Sequence, residues 1–351
     1  MPILTETQLQ EFGVALLAAG GANESEALIV GRSLVQANLR GHDSHGVMRI
    51  PFYVKQVQDG KLNAGSDLNV VQETSGTVVG DGNWGFGQVL SRQLMEKLMD
   101  KASTAGIASG SLRQSAHIGR LGEYAEMAAA KNMSAIICAN THGAAQRVAP
   151  VGGKRPRLGT NPLCIGMPGG KNGPFILDFG TSATAEGKVR VKKIAGEKVP
   201  DGWVLDPEGN PTNDPHQLYG DPPGTILPMG GDQAYKGFGL SFMIEMLCGA
   251  LSGGQCAYPN PPAPVGNAAF FIVINPSQYP GFEPLQSEVS SLVEYVRTVP
   301  RIDGVAEIFL PGDPEQRTLA KRSTEGIPLD DGNWNALLKL AEELGVSPPA
   351  A

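Results

Sequence analysis

The 351-residue chain lacks any long apolar run. Stretches such as Met133–Ala139 and Ala268–Ile274 stop far short of the roughly 20 residues that cross a bilayer as a helix, so no transmembrane helix is expected. It also lacks a basic excess. Its 28 Lys and Arg stand against 35 Asp and Glu, a net charge of −7, which argues against nucleic acid or an anionic membrane as the main partner. Cysteine is scarce, with four residues (Cys138, Cys164, Cys248, Cys256) and no Cys-x-x-Cys pair, so reduced thiols in a cytoplasmic protein are expected rather than a disulfide frame or a zinc site. The N-terminal Met1–Phe12 shows no basic start followed by an apolar segment, so no secretory signal is expected. Charged residues make up 18% but hydrophobic residues 41%, enough to exclude global disorder. The 46 glycines and 27 prolines follow no repeat and read as tight turns.

What is present is an alternation of patterns. Thr5–Ala19 and Asn23–Asn38 carry apolar residues at helical spacing behind capping residues, and Val47–Gln58 gives a third helical run. Strands are expected at Leu68–Gln72, Gly76–Gly80, Gly106–Leu112, Ser134–Asn140, Pro162–Met167, Phe175–Phe179 and Phe270–Ile274. Helices are expected at Gly87–Ala105, Gly119–Lys131 and Lys236–Ser252. This predicts an α/β fold with a mixed or mostly parallel sheet and a helical N-terminal region. Gly209–Gly231 and Gly253–Asn267 read as long loops of the kind that form sites or interfaces.

Gly80-Asp-Gly-Asn-Trp-Gly85 matches the G-x-G-x-x-G of a dinucleotide-binding turn, between a strand and a helix. Two details oppose that reading. Asp100, the acid that would meet a ribose, falls inside the helix Gly87–Ala105, and Trp84 crowds the place a phosphate needs. A plain glycine-rich turn is the stronger expectation.

The chemistry-bearing residues cluster around histidine. His42 and His45 lie in Gly41-His-Asp-Ser-His-Gly46, His117 follows Ser115-Ala, and His142 sits in Asn-Thr-His-Gly. Imidazole titrates near neutrality and suits transfer of one proton per turnover. Arg49 follows His45 at a helical interval, and its guanidinium could grip a carboxylate in two-pronged fashion. Three alternatives stay open on the residues alone. His42, His45, His117 and Asp43 could hold a metal for a hydrolase or lyase, although no His-Glu-x-x-His pattern is present. Each histidine could be a structural turn residue. Arg49 could simply pair with Asp43.

Arg40-Gly-His-Asp-Ser-His-Gly-Val-Met-Arg49, Ser115-Ala-His-Ile-Gly119, Leu158-Gly-Thr-Asn-Pro162, Ile176-Leu-Asp-Phe-Gly-Thr-Ser182, Leu227-Pro-Met-Gly-Gly231 with Lys236-Gly-Phe-Gly239, and Leu310-Pro-Gly312 occur in that order. In this the chain resembles the malate/L-lactate dehydrogenase family of the second type, over about residues 3–330. The resemblance implies a non-Rossmann α/β enzyme that moves a hydride between NAD(P) and the carbon beside a carboxylate. It implies catalytic roles for His45, Ser44 and His117, and substrate contacts from Arg49 and Thr160. It implies cofactor contacts from His45, Gly119, Arg120, Leu121, Leu177, Asp178, Phe179, Gly180, Thr181, Lys236, Pro311, Gly312, Asp313 and Pro314. Read without the family, Asp178 could be a helix cap, Lys236 a solvated lysine and Pro311–Asp313 an ordinary turn. NAD is the expected cofactor and NADP the alternative. A small 2-hydroxy or 2-oxo acid is the expected substrate, and a homodimer the expected assembly. Two parts are expected: residues 1–115, mainly helical and catalytic and joined by 315–351, and residues 116–314, which bind the cofactor. Imine-reducing members of the family carry an aspartate where this chain has Lys188, so hydroxy acids are favoured over a cyclic imino acid.

Overall fold

The computed structural model describes residues 1–169, 173–261 and 264–349. A short strand β1 (Ile3–Leu4) leads into helices α1 (Glu6–Ala19), α2 (Glu24–Leu39) and α3 (Ile50–Gln58). Thr5 and Asn23 start α1 and α2 with reciprocal capping boxes, in which Gln8 and Glu26 return the bond. The expected third helix is broken at its start: Asp43–His45 and Val47–Arg49 are two separate 3₁₀ turns, and α3 begins at Ile50 with Pro51 in its first turn.

Strands β2 (Asn69–Glu73) and β3 (Thr77–Asp81) precede helix α4 (Gly87–Ala105) and strand β4 (Ile107–Ser115). Helix α5 (Gly122–Ala129), starting three residues later than its pattern suggests, leads to strands β5 (Ser134–Asn140), β6 (Leu163–Met167) and β7 (Phe175–Phe179). Helix α6 (Glu186–Ala195) follows, then the short strands β8 (Val204–Leu205), β9 (Pro211–Thr212) and β10 (Thr225–Ile226). Helix α7 (Tyr235–Glu245) continues as a π-helical stretch, Met246–Leu251. Strand β11 (Asn267–Ile274), helices α8 (Phe282–Arg297) and α9 (Asp313–Glu325), strand β12 (Ile327–Pro328) and helix α10 (Asp331–Leu344) complete the chain.

The main sheet has seven strands in the order β2-β3-β4-β11-β5-β6-β7. It is mixed, as expected, but not mostly parallel: β3 and β4 alone pair in parallel, and the other neighbours are antiparallel. The late strand β11 enters between β4 and β5, and no local pattern announces so distant a pairing. Helices α4 and α5 cover one face, with Leu90, Leu94, Leu98, Tyr124 and Ala128 packed on Leu112, Ile137 and Phe271. The other face receives α7 and its π-helical end through Ile244 and Cys248 against Cys138 and Ala268.

A separate apolar cluster joins α1, α2 and α3 to the C-terminal α10 through Leu16, Leu34, Ile50, Leu337 and Leu340. β1 pairs with β12 and ties the two ends of the chain together. The Gly209–Gly231 segment is not a plain loop. β9 and β10 flank β8 in a small three-stranded sheet with its own core of Val204, Leu218 and Ile226. In Gly253–Asn267 no helix or strand forms before β11 among the described residues, and residues 262 and 263 lie outside them.

The G-x-G-x-x-G match sits in a genuine β3-α4-β4 unit, yet its amides are already engaged. Gly82 N–H donates to Arg113 O (2.9 Å), Asn83 N–H to Asp81 Oδ1 (3.0 Å), Trp84 N–H to Gln114 O (2.6 Å) and Gly85 N–H to Gly82 O (2.8 Å). A phosphate cradle needs free amides at that point. The turn is structural, as Trp84 and Asp100 suggested.

Candidate active site

The Asp43–Arg49 segment is held from behind. Buried Asn38 accepts from Val47 N–H (2.9 Å) through Oδ1 and donates to Asp43 (2.6 Å) through its amide. Arg322, on α9, grips both Asp43 oxygens at 2.7 and 3.0 Å. Asp43 is therefore the partner of Arg322 and not of Arg49. A Cβ on Gly46 would collide with the Asn38 amide. Gly46→Ala is expected to cost about 1–3 kcal/mol of stability through overpacking and to lower turnover by shifting His45. Melting temperature and kcat measured on one preparation check this; wild-type values for both would refute it.

With Asp43 taken, the remaining groups turn inward. Arg49 Nε donates to Ser44 O (2.7 Å), and its two Nη atoms meet no acceptor among the described residues. The rings of His45 and His117 stack with centroids 5.5 Å apart. Ser44 Oγ lies 3.0 Å from His45 Nδ1. Tyr53 Oη lies 2.7 Å from His117 Nδ1, and Gly119 N–H donates to the same nitrogen at 3.3 Å. Burial, then the charge of Arg49, pushes the His45 pKa down to about 3, with His42 and Arg120 adding to the fall. His117 is held well below 6.5 by burial, then by Arg49 and His45. Tyr53 is raised to about 12 by burial, although Arg49 opposes the rise. Arg49 thus acts electrostatically on all three rings. A guanidinium with free Nη atoms can receive a carboxylate, and a neutral imidazole beside it can exchange a proton with the atom next to that carboxylate.

His42 turns elsewhere: its Nε2 lies 3.3 Å from Glu315 Oε1, on α9. The His42, Asp43, His45 and His117 set considered for a metal is therefore divided between two neighbourhoods. His142 stands apart from both, edge-on to Trp84 with ring centroids 4.9 Å apart.

Several of the residues expected to touch a cofactor gather around β7. Asp178 Oδ2 accepts from Gly122 N–H (2.7 Å), so Asp178 does cap α5, and burial raises its pKa. Leu121 is buried just before α5. The Arg120 guanidinium is engaged with Glu126 (2.7 Å), which also holds Arg40 (2.8 Å). Thr181 donates to Thr160 O through both its N–H (2.9 Å) and Oγ1 (3.1 Å), so Thr160 is held by the end of β7. A Cβ on Gly312 would lie 3.2 Å from Ile176 N, which places the Pro311–Pro314 turn beside β7. Asp313 Oδ2 accepts from Leu310 N–H and from Arg297, both at 2.8 Å. Lys236, exposed on the first turn of α7, has no carboxylate partner among the described residues. At the strand end Leu177 is 41% exposed, Phe179 half-buried and Gly180 exposed. Bare backbone and an apolar shelf where the end of β7 meets the start of α5 and the Pro311–Pro314 turn suit a dinucleotide, so these residues fit a nicotinamide cofactor.

Three contributors carried no signal in the local sequence. Gln88 donates to Tyr53 Oη from α4 (3.0 Å), Arg322 reaches Asp43 from α9, and a Cβ on Gly187 of α6 would lie 3.5 Å from Ser44 Cβ. Lys188, next to Gly187, is exposed and carries no ion pair among the described residues.

Comparison with known proteins identifies the family. The family model described as malate/L-lactate dehydrogenase matches residues 4–338. Hydroxycarboxylate dehydrogenase B of Escherichia coli (strain K12) is 37% identical over 342 residues, covering 96% of this chain and 93% of that protein. The solved sulfolactate dehydrogenase of Methanocaldococcus jannaschii superposes with a TM-score of 0.87 at 34% identity, covering 99% of this chain and 98% of that one. The solved delta1-piperideine-2-carboxylate reductase of Pseudomonas syringae is more distant, with a TM-score of 0.85 at 28% identity over 97% of this chain and 100% of that one. With the family model matching residues 4–338 and a relative 37% identical over 96% of its length, the chain belongs to the malate/L-lactate dehydrogenase family.

Proposed function

We propose that this oxidoreductase moves a hydride between NAD and C2 of a small L-2-hydroxy acid, with His45 as the proton carrier. The observation that carries the reading is the Arg49 guanidinium, whose Nη atoms meet no acceptor among the described residues and whose charge acts on both His45 and His117. Arg49 holds the substrate carboxylate, and Thr160 completes the orientation. Ser44 supports His45 through Nδ1, which leaves Nε2 for the substrate hydroxyl. His45 takes the hydroxyl proton in oxidation and returns it in reduction. When bound, the cofactor supplies the hydride acceptor or donor. Gly119, Leu121, Asp178, Thr181, Lys236, Pro311, Gly312 and Pro314 are the groups that would hold it, and the paired Arg120 and Asp313 shape that surface from behind. NAD is preferred to NADP.

Residues 1–115, joined by 315–351, form the catalytic part, and residues 116–314 hold the cofactor. A homodimer is supported by apolar side chains left in solvent, such as Leu292 at 59% and Tyr295 at 80% exposed on α8. A cytoplasmic site of action is supported by four free cysteines. No helix among the described residues is long and apolar enough to cross a membrane.

A second reading, reduction of a cyclic imino acid, follows from the solved delta1-piperideine-2-carboxylate reductase. Lys188 beside the Ser44 contact opposes it, because a cation there cannot replace the aspartate of imine-reducing members. The test is a panel of 2-hydroxy and 2-oxo acids with NAD(H) and NADP(H), followed by the absorbance of the reduced nicotinamide. A malate-, lactate- or sulfolactate-type acid is expected to turn over best with NAD(H). Δ1-piperideine-2-carboxylate as the best substrate would transfer the assignment to imine reduction, and no turnover of any acid would end the dehydrogenase reading.

A further inference from the structure

We propose that Tyr53 is a positioning residue that, backed by Gln88, fixes His117 in the Nε2–H tautomer, so that His117 gives the substrate oxygen a hydrogen bond while His45 alone exchanges the proton. The proposal rests on the reading of His45 and His117 as the reacting pair and divides their roles.

The hydrogen bonds determine the tautomer. A backbone N–H can only donate, and Gly119 N–H points at His117 Nδ1 at 3.3 Å. That nitrogen therefore carries a lone pair, and the proton of the neutral ring is on Nε2. Tyr53 Oη, 2.7 Å from the same lone pair, must donate to it. Its oxygen is then free to accept, and Gln88 Nε2–H donates to it at 3.0 Å. The reverse amide orientation would put two acceptors around the single tyrosine proton. The orientation leaves Gln88 Oε1 buried without a donor among the described residues. An orphaned acceptor at a wholly buried residue is a local cost, and such costs collect where a group must be held in one state. Tyr53 is itself 1% exposed and has no freedom to turn away.

His45 has the opposite design. Its Nδ1 meets the Ser44 hydroxyl at 3.0 Å, and a hydroxyl can accept or donate. Ser44 therefore tolerates both tautomers and the cation, as a proton carrier requires. His117 Nδ1 faces two donors, so protonating it would break the Gly119 bond and force the Tyr53 hydroxyl, and the Gln88 amide behind it, to turn around. One ring is built to switch and the other to stay.

The test uses the full-length enzyme with ¹⁵N-labelled histidine. In the wild type, the His117 nitrogens, assigned by comparison with His117→Gln, are expected to show the Nε2–H tautomer. Tyr53→Phe removes one hydroxyl and keeps the ring. It should lower kcat by about 10- to 100-fold, change the substrate KM less than about threefold, and leave the cofactor Kd unchanged. Gln88→Glu offers the tyrosine proton a carboxylate instead of His117. It should lower kcat in the same direction and shift the His117 nitrogen signals, and should Tyr53→Phe unfold, this variant carries the test. An Nδ1–H tautomer in the wild type would overturn the proposal, as would wild-type kcat in both variants. Failure of the dehydrogenase reading shows itself separately: the wild type would oxidise no 2-hydroxy acid whatever tautomer the spectra report.

Discussion

His45→Gln is expected to reduce turnover by about 10²- to 10⁴-fold, the usual contribution of a positioned acid–base group, while cofactor affinity stays within about twofold. The reason lies in what glutamine keeps and loses. It retains a polar group near Ser44 and much of the ring's reach, but it has no site that accepts and releases a proton near neutral pH. The direction of the pKa shift makes a second prediction about the same residue. With its pKa near 3, His45 is neutral in the free enzyme across the working range. Oxidation needs the neutral base, so its kcat/KM should be flat between about pH 5 and 8. Reduction needs the protonated ring, whose population falls about tenfold for each pH unit above the pKa, so its kcat/KM should fall with that slope. A carboxylate seated on Arg49 cancels part of the charge that depresses His45. The kcat for reduction should therefore hold to higher pH than kcat/KM. Profiles in both directions check the sign. A limb near 6.5 in kcat/KM for oxidation would show that His45 is not the group titrating, and full turnover in His45→Gln beside a dead His117→Gln would exchange the two roles.

Arg49→Lys should reduce kcat/KM for the acid by about 10- to 150-fold, the equivalent of one charge-assisted hydrogen bond of about 1.5–3 kcal/mol. Lysine keeps the charge but not the planar fork. In the structure Nε is held by Ser44 O, which leaves the two Nη atoms as the fork. Lysine's single nitrogen, even with three N–H donors, cannot keep the Ser44 contact and still offer a carboxylate two parallel bonds from a planar fork. The competing account, in which Arg49 stabilises the fold by pairing with Asp43, conflicts with the Asp43–Arg322 pair. The variant is expected to melt close to the wild type, with cofactor KM little changed and substrate KM raised. A fallen melting temperature with substrate KM and kcat intact would remove Arg49 from the site.

Much of the local structure was written in the sequence, because it depends on near neighbours. The caps at Thr5 and Asn23 and the run Gly87–Ala105 are set by hydrogen bonds and side-chain spacing a few residues apart. The proposed site residues Ser44, His45 and Arg49 stood out for the same reason: they share one short segment, in which an imidazole four residues before a guanidinium is a local pattern. The family resemblance extended this to His117, but only packing brings that ring within 5.5 Å of His45, since the two lie on different elements. Tyr53 meets His117 from α3 and Gln88 backs Tyr53 from α4, Arg322 reaches Asp43 from α9, and Gly187 covers Ser44 from α6. None of these contacts leaves a mark near the residue it serves. The sheet shows the same division. Strand positions followed from apolar runs, whereas the insertion of β11 and the largely antiparallel pairing depend on long-range register that a run of side chains does not encode. The G-x-G-x-x-G turn marks the boundary most sharply: its strand, glycines and helix were all visible, but tertiary partners decided whether its amides were free, and Arg113 O and Gln114 O on the neighbouring strand had already taken two of them.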